Sequence, residues 1–179
     1  MDFFNVVSVE ETRSEMERVF KDFKLELEEI SLLESYNRVL GENVVSDINV
    51  PEFNRSTVDG YAIKSKDSHG ASSSIPSVFN IMGEVKMGEI STHNINPGEA
   101  IYVPTGGMIP DGADAMIMIE DTEKLDDTTL MAYKPVSHNE NMILKGQDIE
   151  IGEVALSKGR VLTPEAMGVL AHDRHVAPL

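Results

Sequence analysis

Apolar residues near the start of the chain recur at helical spacing. In "VEETRSEMERVFKDF", residues 9–23, Val9, Met16, Val19, Phe20 and Phe23 fall roughly along one helical face. Ser8 and Glu11 have the spacing of a capping box, in which each side chain satisfies an orphan N–H of the first turn. Ser31 and Glu34 repeat that spacing and predict a short helix, "LLESYNRVL", that Gly41 can close. Between them "KLELEEISL" alternates apolar and charged residues and predicts a strand.

From about residue 48 short apolar or alternating runs take over: "SVFNIMGEVKMG", "EAIYVPTGG", "DAMIMIEDTE" and "TLMAYKPV". Turns containing Gly, Pro and Asp separate them at intervals typical of a small antiparallel β domain. The segment "SKDSHGASSSIPS" reads as a polar loop or a mobile hairpin end. From about residue 139, "NMILKGQDI" and "EVALSKGRVL" predict two more strands and "TPEAMGVLAHD" a last helix. Thr163 is its expected N-cap, with Pro164 at the first helical position, where a missing N–H costs nothing. The expected fold is α+β and strand-rich. Residues 1–47 and 139–179 form a discontinuous α+β domain, and residues 48–138 form an inserted β domain. No repeat is visible at a period of about 20–50 residues.

Composition narrows the class. The 179 residues are 41% hydrophobic, enough for a buried core. No apolar run approaches the roughly 18–20 residues of a membrane span. The N-terminus is acidic from Asp2 and lacks a basic region ahead of an apolar one, unlike a signal peptide. With no cysteine, disulfides, thiolate metal sites and cysteine nucleophiles are excluded, and a cytoplasmic protein is expected. A net charge of −16 opposes binding to nucleic acid or an anionic membrane. An anionic ligand would need backbone N–H groups, a few placed cations or a bridging metal ion.

Candidate chemistry sits in three glycine-flanked stretches. In "PEFNRSTVDGYA", Asp59 precedes Gly60, a pair that usually marks a turn with a positive φ at glycine. Arg55 and Ser56 add a cation and a hydroxyl close by, a mixture suited to hydrated Mg²⁺ together with an anion. In "VPTGGMIPDGADAMIMIED", Thr105, Gly106 and Gly107 can turn successive N–H groups toward an oxyanion, with the threonine hydroxyl as a further donor. The same residues also suit an ordinary strand end. Glu120 and Asp121 close the next strand, and "LKGQDI" offers Asp148 beside Lys145; each acid also reads as a solvated strand end or turn. His172 and His175 have metal-ligand spacing on a helix, but with no third ligand in evidence a frayed helix end is the expected reading. The Walker A, Rossmann and EF-hand patterns do not occur.

Three motifs in order, "NVPEFNRSTVDGYAI", "GEAIYVPTGGMIPDGADAMIMIED" and "KGQDIEIGEVALSKGRVLTPEAMGVLA", resemble the N-terminal region of the molybdopterin molybdenumtransferase family, which is related to the catalytic domain of gephyrin. The similarity runs from about residue 7 to about residue 171. It implies an enzyme that inserts molybdenum from molybdate into adenylylated molybdopterin and releases AMP, using Mg²⁺ or a similar cation. It also implies a homodimer, with the discontinuous domain serving dimerisation. Asp59 and Thr105 match the family's functional aspartate and threonine, and Asp148 matches the acid of its Gly-x-Asp-Ile motif. The resemblance thus suggests Asp59 and Thr105 as catalytic, with Arg55, Ser56, Gly106 and Gly107 binding an oxyanion. Asp148 and Glu120 would be supporting or metal-binding acids. Thr57-Val58 stands where the family often has Ala-Met. The family continues into an α/β domain that binds molybdopterin, so a chain ending at Leu179 is expected to be inactive alone. The alternative is a scaffold of the same architecture without chemistry.

Overall fold

The computed structural model describes residues 6–24 and 26–172; His175 lies outside them. Twelve regular elements follow in order: helix α1 (Val9–Phe20), strands β1 (Val44–Val45), β2 (Arg55–Ser56), β3 (Gly60–Ile63), β4 (Ser77–Glu84), β5 (Glu99–Val103), β6 (Ala115–Met118), β7 (Thr122–Lys124), β8 (Thr129–Ala132), β9 (Met142–Ile143) and β10 (Val154–Leu156), and helix α2 (Pro164–His172). The class is α+β and strand-rich. No described helix is long and apolar enough to cross a membrane.

The chain divides into two compact units. Met1–Gly41 and Val161–Leu179 make one, and Glu42–Arg160 the other. These boundaries fall outside the 47/48 and 138/139 expected from the change in sequence texture. The reason is a ladder: β1 pairs with β10, Val50 bridges Ile149, and β2 pairs with β9. Residues 44–56 and 142–156 thereby zip together and belong with the β-rich unit.

In the larger unit, six strands form one sheet in the order β6-β3-β5-β4-β8-β7. Side chains alternate between two buried clusters. Tyr61, Ile63, Phe79, Ala115, Ile117 and Leu130 fill one, while Ala62, Ile101, Val103, Met116 and Ile95 fill the other. All four residues of β3 are therefore buried, which explains why "GYAI" shows no polar alternation. Burying each large apolar side chain contributes roughly 1.5–3 kcal/mol. The sheet is not wholly antiparallel, as the short runs had suggested. β4 and β5 run parallel, because residues 85–98 between them are long enough to cross back.

The expected polar loop at 65–77 is partly buried. Ser68 donates its hydroxyl to the Ser65 carbonyl at 2.7 Å and accepts the Val136 N–H at 3.0 Å. Asp114 fastens the same region, accepting the Ser65 N–H and lying 3.2 Å from His138 Nδ1. Burial pushes the Asp114 carboxyl up, but the Ser65 N–H and His138 together outweigh it and hold it below the ordinary 3.8. A carboxylate with a depressed folded pKa adds stability above its unfolded value, and that stability is lost as pH falls through the folded value. Acid unfolding of Asp114→Asn should therefore show a shallower loss of stability below about pH 4 than the parent, read by urea melts across pH. Identical pH profiles would remove Asp114 as a contributor.

In the smaller unit, the capping box of α1 forms as the spacing predicts: the Ser8 hydroxyl accepts the Glu11 N–H, and the Glu11 carboxylate accepts the Ser8 N–H. Thr163 caps α2 by accepting the Ala166 N–H at 3.3 Å, and Ala166 and Leu170 are buried. The other two local expectations differ. Residues 26–31 pair with no described strand and stay mostly exposed, so alternation alone did not make a strand there. The predicted helix at 32–40 shrinks to a 3-10 turn, Leu32–Glu34. Asn37 takes a φ of 62°, and the chain leaves the turn to bond with Leu162. Gly41 closes no helix; its bare Cα leaves room for Leu27, whose Cδ2 would lie 2.7 Å from a Cβ there.

Candidate functional site around Asp59

Strand β3 is antiparallel to both of its neighbours, so its first residue lies beside the last residues of β5 and β6. Gly60 pairs with Val103 on one side and Met118 on the other. Asp59, just before it, is therefore level with the segments that leave those two strands. Its main-chain oxygen accepts the Ile119 N–H at 2.9 Å. Its carboxylate Oδ1 accepts two bonds from Thr105, from the N–H at 2.8 Å and from the hydroxyl at 3.1 Å. Oδ2 takes no protein donor among the described residues, and the side chain is exposed. The result is a carboxylate fixed at one oxygen and open at the other.

Gly60 does not serve the turn expected of an Asp-Gly pair. It lies within β3 and lacks a positive φ. A Cβ at this position would sit 1.9 Å from the Ile117 carbonyl oxygen, so glycine is required by the close approach of β6.

The Thr105-Gly106-Gly107 turn also differs from the expected anion nest. Its three N–H groups are all engaged within the chain: Thr105 on Asp59, Gly106 on the Ser56 carbonyl at 2.8 Å and Gly107 on the Pro104 carbonyl at 2.8 Å. Gly106 supplies the positive φ of the turn, 81°. Ser56 is buried, donating its hydroxyl to the Val58 carbonyl at 2.6 Å, and its own N–H goes to the Gly107 carbonyl at 3.0 Å. Gly106, Gly107 and Ser56 thus present no free donor; they lock the Asp59 loop to the Thr105 turn. Arg55, on β2 opposite Ile143, keeps its guanidinium outside these bonds.

Glu120 lies in the turn after β6, next to Ile119, and is exposed. That places it at the same end of the sheet as Asp59. Asp148 is held elsewhere in the unit. Its N–H bonds the Val50 carbonyl at 2.9 Å, and no hydrogen bond or ion pair among the described residues links it to Asp59, Thr105 or Glu120. His172 ends α2 in the other unit, and among the described residues no three His, Asp or Glu side chains gather as a metal-binding group.

One neighbour escaped the sequence reading. Met87 Cε lies 3.8 Å from where a Cβ on Gly106 would be, so this exposed thioether flanks the Thr105 turn. Nothing in "GEVKMGE" signals that, since the contact spans distant positions in the chain.

Comparison with known proteins identifies the family. A molybdopterin molybdenumtransferase of Staphylococcus aureus (strain Mu50 / ATCC 700699) is 41% identical over 142 residues, which is 79% of this chain and 34% of that protein. One of Staphylococcus epidermidis (strain ATCC 12228 / FDA PCI 1200) is 38% identical over the same shares. The chain thus spans about a third of these relatives' length. A crystal structure of a molybdopterin biosynthesis moeA protein from Pyrococcus horikoshii OT3 aligns with a TM-score of 0.75 at 35% identity, covering 81% of this chain and 38% of that one. Residues 7–172 match the family described as the MoeA N-terminal region, domains I and II, and the chain belongs to that family.

Proposed function

We propose that this chain is the N-terminal part of a molybdopterin molybdenumtransferase, acting in molybdenum cofactor biosynthesis. Molybdenum from molybdate enters adenylylated molybdopterin, and AMP leaves. The observation that carries the reading is the Asp59–Thr105 pair: two donors from Thr105 hold one carboxylate oxygen, and the other faces outward. Such a group is preorganised, since its orientation is set before any ligand arrives. Asp59 then faces either the metal ion or the molybdate, and Thr105 keeps it aimed. Glu120, at the same end of the sheet, adds negative charge for a cation; Asp148 is a more remote supporting acid.

The donor set suits Mg²⁺, which is commonly held by one or two carboxylates and several waters. The open Oδ2 of Asp59 is the first ligand proposed, with Glu120 the second. When bound, the ion would offset the charge of phosphate or molybdate oxygens. Gly106, Gly107 and Ser56 contribute by fixing the turn, because their N–H groups and the serine hydroxyl are already committed. A chain without cysteine is in keeping with a cytoplasmic setting.

The test is molybdate-dependent AMP release from adenylylated molybdopterin with Mg²⁺. It should be seen in a complete transferase carrying this region and be missing from the chain alone. AMP release that ignores molybdate would end the reading.

Homodimer formation is part of the proposal. Helix α1 has no buried residue; Met16, Val19 and Phe20 are exposed along it, and Phe23 just beyond its end is exposed too. Light scattering at tens of micromolar should give twice the mass of a single chain, and Phe20→Glu should shift it toward the monomer. A parent that scatters as a monomer removes the dimer.

A further inference from the structure

Asn141 stands just before β9, half-buried, at the end of the turn formed by residues 137–141. Asparagine enters the left-handed region more readily than most non-glycine residues, and three described asparagines use it: Asn37 at a φ of 62°, Asn139 at 61° and Asn141 at 59°. Of the three, Asn141 is the one whose side chain is also hydrogen-bonded among the described residues. Its Nδ2 donates to the Met116 carbonyl at 3.0 Å, and the Met116 N–H donates to the Glu140 carbonyl at 3.1 Å. Met116 is buried and lies on β6, the edge strand of the sheet. Residues 140 and 141 therefore satisfy that edge much as a further strand would.

The main chain of Asn141 serves a second segment. Its carbonyl accepts the Thr57 N–H at 3.0 Å, and the next residue, Met142, pairs with Ser56. Thr57 is two residues before Asp59. Ser56 and the Asp59 carboxylate fasten this loop to the Thr105 turn, while the Asp59 carbonyl meets Ile119 just past β6. Asn141 adds a tie at Thr57 and refers it to the same strand, β6, whose exit carries Glu120. One residue thus spans the gap between the edge of the sheet and the loop that presents the carboxylate.

We propose that Asn141 is a positioning residue that holds the Asp59 loop against β6, and so fixes the aim of the Asp59 carboxylate relative to Glu120. It acts through Asp59 and touches no ligand. The proposal rests on the transferase reading for the work of the two acids, but its first test does not. Asn141→Gly keeps a positive φ at no steric cost and keeps the main-chain carbonyl, so only the amide bond to β6 is lost. Asn139→Gly is the control, from the same turn and the same region of φ but without a described side-chain bond. Amide exchange is followed by NMR on this chain. The Thr57 and Thr105 N–H groups should exchange about tenfold faster in Asn141→Gly, while Phe79 and Leu130 of the buried sheet report any general loss of stability.

The second readout is the Mg²⁺ concentration for half-maximal molybdate-dependent AMP release in a complete transferase carrying this region. It should rise about tenfold in Asn141→Gly, with most of the rate recovered at saturating Mg²⁺, and stay at the parent value in Asn139→Gly. Thr57 and Thr105 amides that exchange as in the parent overturn the proposal. So does acceleration no greater than at Phe79 and Leu130, or equal acceleration in Asn139→Gly. Loosened Thr57 and Thr105 amides with an unshifted Mg²⁺ requirement would keep Asn141 as the support of Asp59 and sink Asp59 and Glu120 as the Mg²⁺ ligands.

Discussion

Gly60→Ala is expected to cost about 3–5 kcal/mol, at the severe end of single substitutions. The added Cβ would fall 1.9 Å from the Ile117 carbonyl oxygen and 2.9 Å from its carbon, both main-chain atoms of β6. A side chain could rotate away from such a clash; a strand backbone cannot. Relief by moving β3 is blocked as well, because Gly60 pairs with Val103 of β5 on its other side. Urea unfolding should show a much lower midpoint with little change in slope. Gly168→Ala on α2 is the control. Among the described residues nothing outside the helix's own backbone lies within 4 Å of its added Cβ, and alanine is the better helix former. It should be neutral or stabilising by up to about 1 kcal/mol. A Gly60→Ala protein within about 1 kcal/mol of the parent would mean that β6 does not approach β3 this closely.

Asp59→Ala should lower molybdate-dependent AMP release by about 100-fold or more in a complete transferase carrying this region, the scale of losing a preorganised electrostatic group. Stability should drop only by about 1 kcal/mol, because the released Thr105 donors lie in an exposed loop and can turn to water. The two readouts separate chemistry from folding. Asp59→Asn refines the test. It keeps an acceptor for Thr105 but removes the charge, so activity should still be lost if the carboxylate faces a cation. Thr105→Val keeps the main-chain N–H bond and loses only the hydroxyl, so a milder fall, about tenfold, is expected. Activity near the parent's in Asp59→Asn would show that Asp59 acts only as an acceptor holding the turn.

Much of the site could be named from residue order, but not its construction. Asp59 and Thr105 each stood out within a short motif. The bond between them joins positions 46 apart, and no local pattern encodes that. The free N–H groups expected of Thr-Gly-Gly were a fair reading of glycine chemistry in isolation. They disappear once Ser56 and Pro104 come alongside as acceptors. That Arg55 Nε is buried without an acceptor among the described residues is likewise invisible until burial is known.

The elements divide on the same line. Where a few neighbouring residues carry the whole physical cause, the chain alone decided the outcome. The Ser8–Glu11 box starts α1 and Thr163 with Pro164 starts α2, since a cap needs only its own first turn. The strands of the sheet also follow from their apolar runs. Tertiary structure decided what depended on a distant partner. Residues 26–31 had strand alternation and found no described strand to pair with, while residues 35–40 gave up a helix for bonds to Leu162. It also set β4 parallel to β5 and made glycine obligatory at position 60. Secondary structure follows from chemistry within a turn or two of chain. Pairing, burial and the aim of the Asp59 carboxylate follow from which surfaces meet, and that is a property of the whole fold.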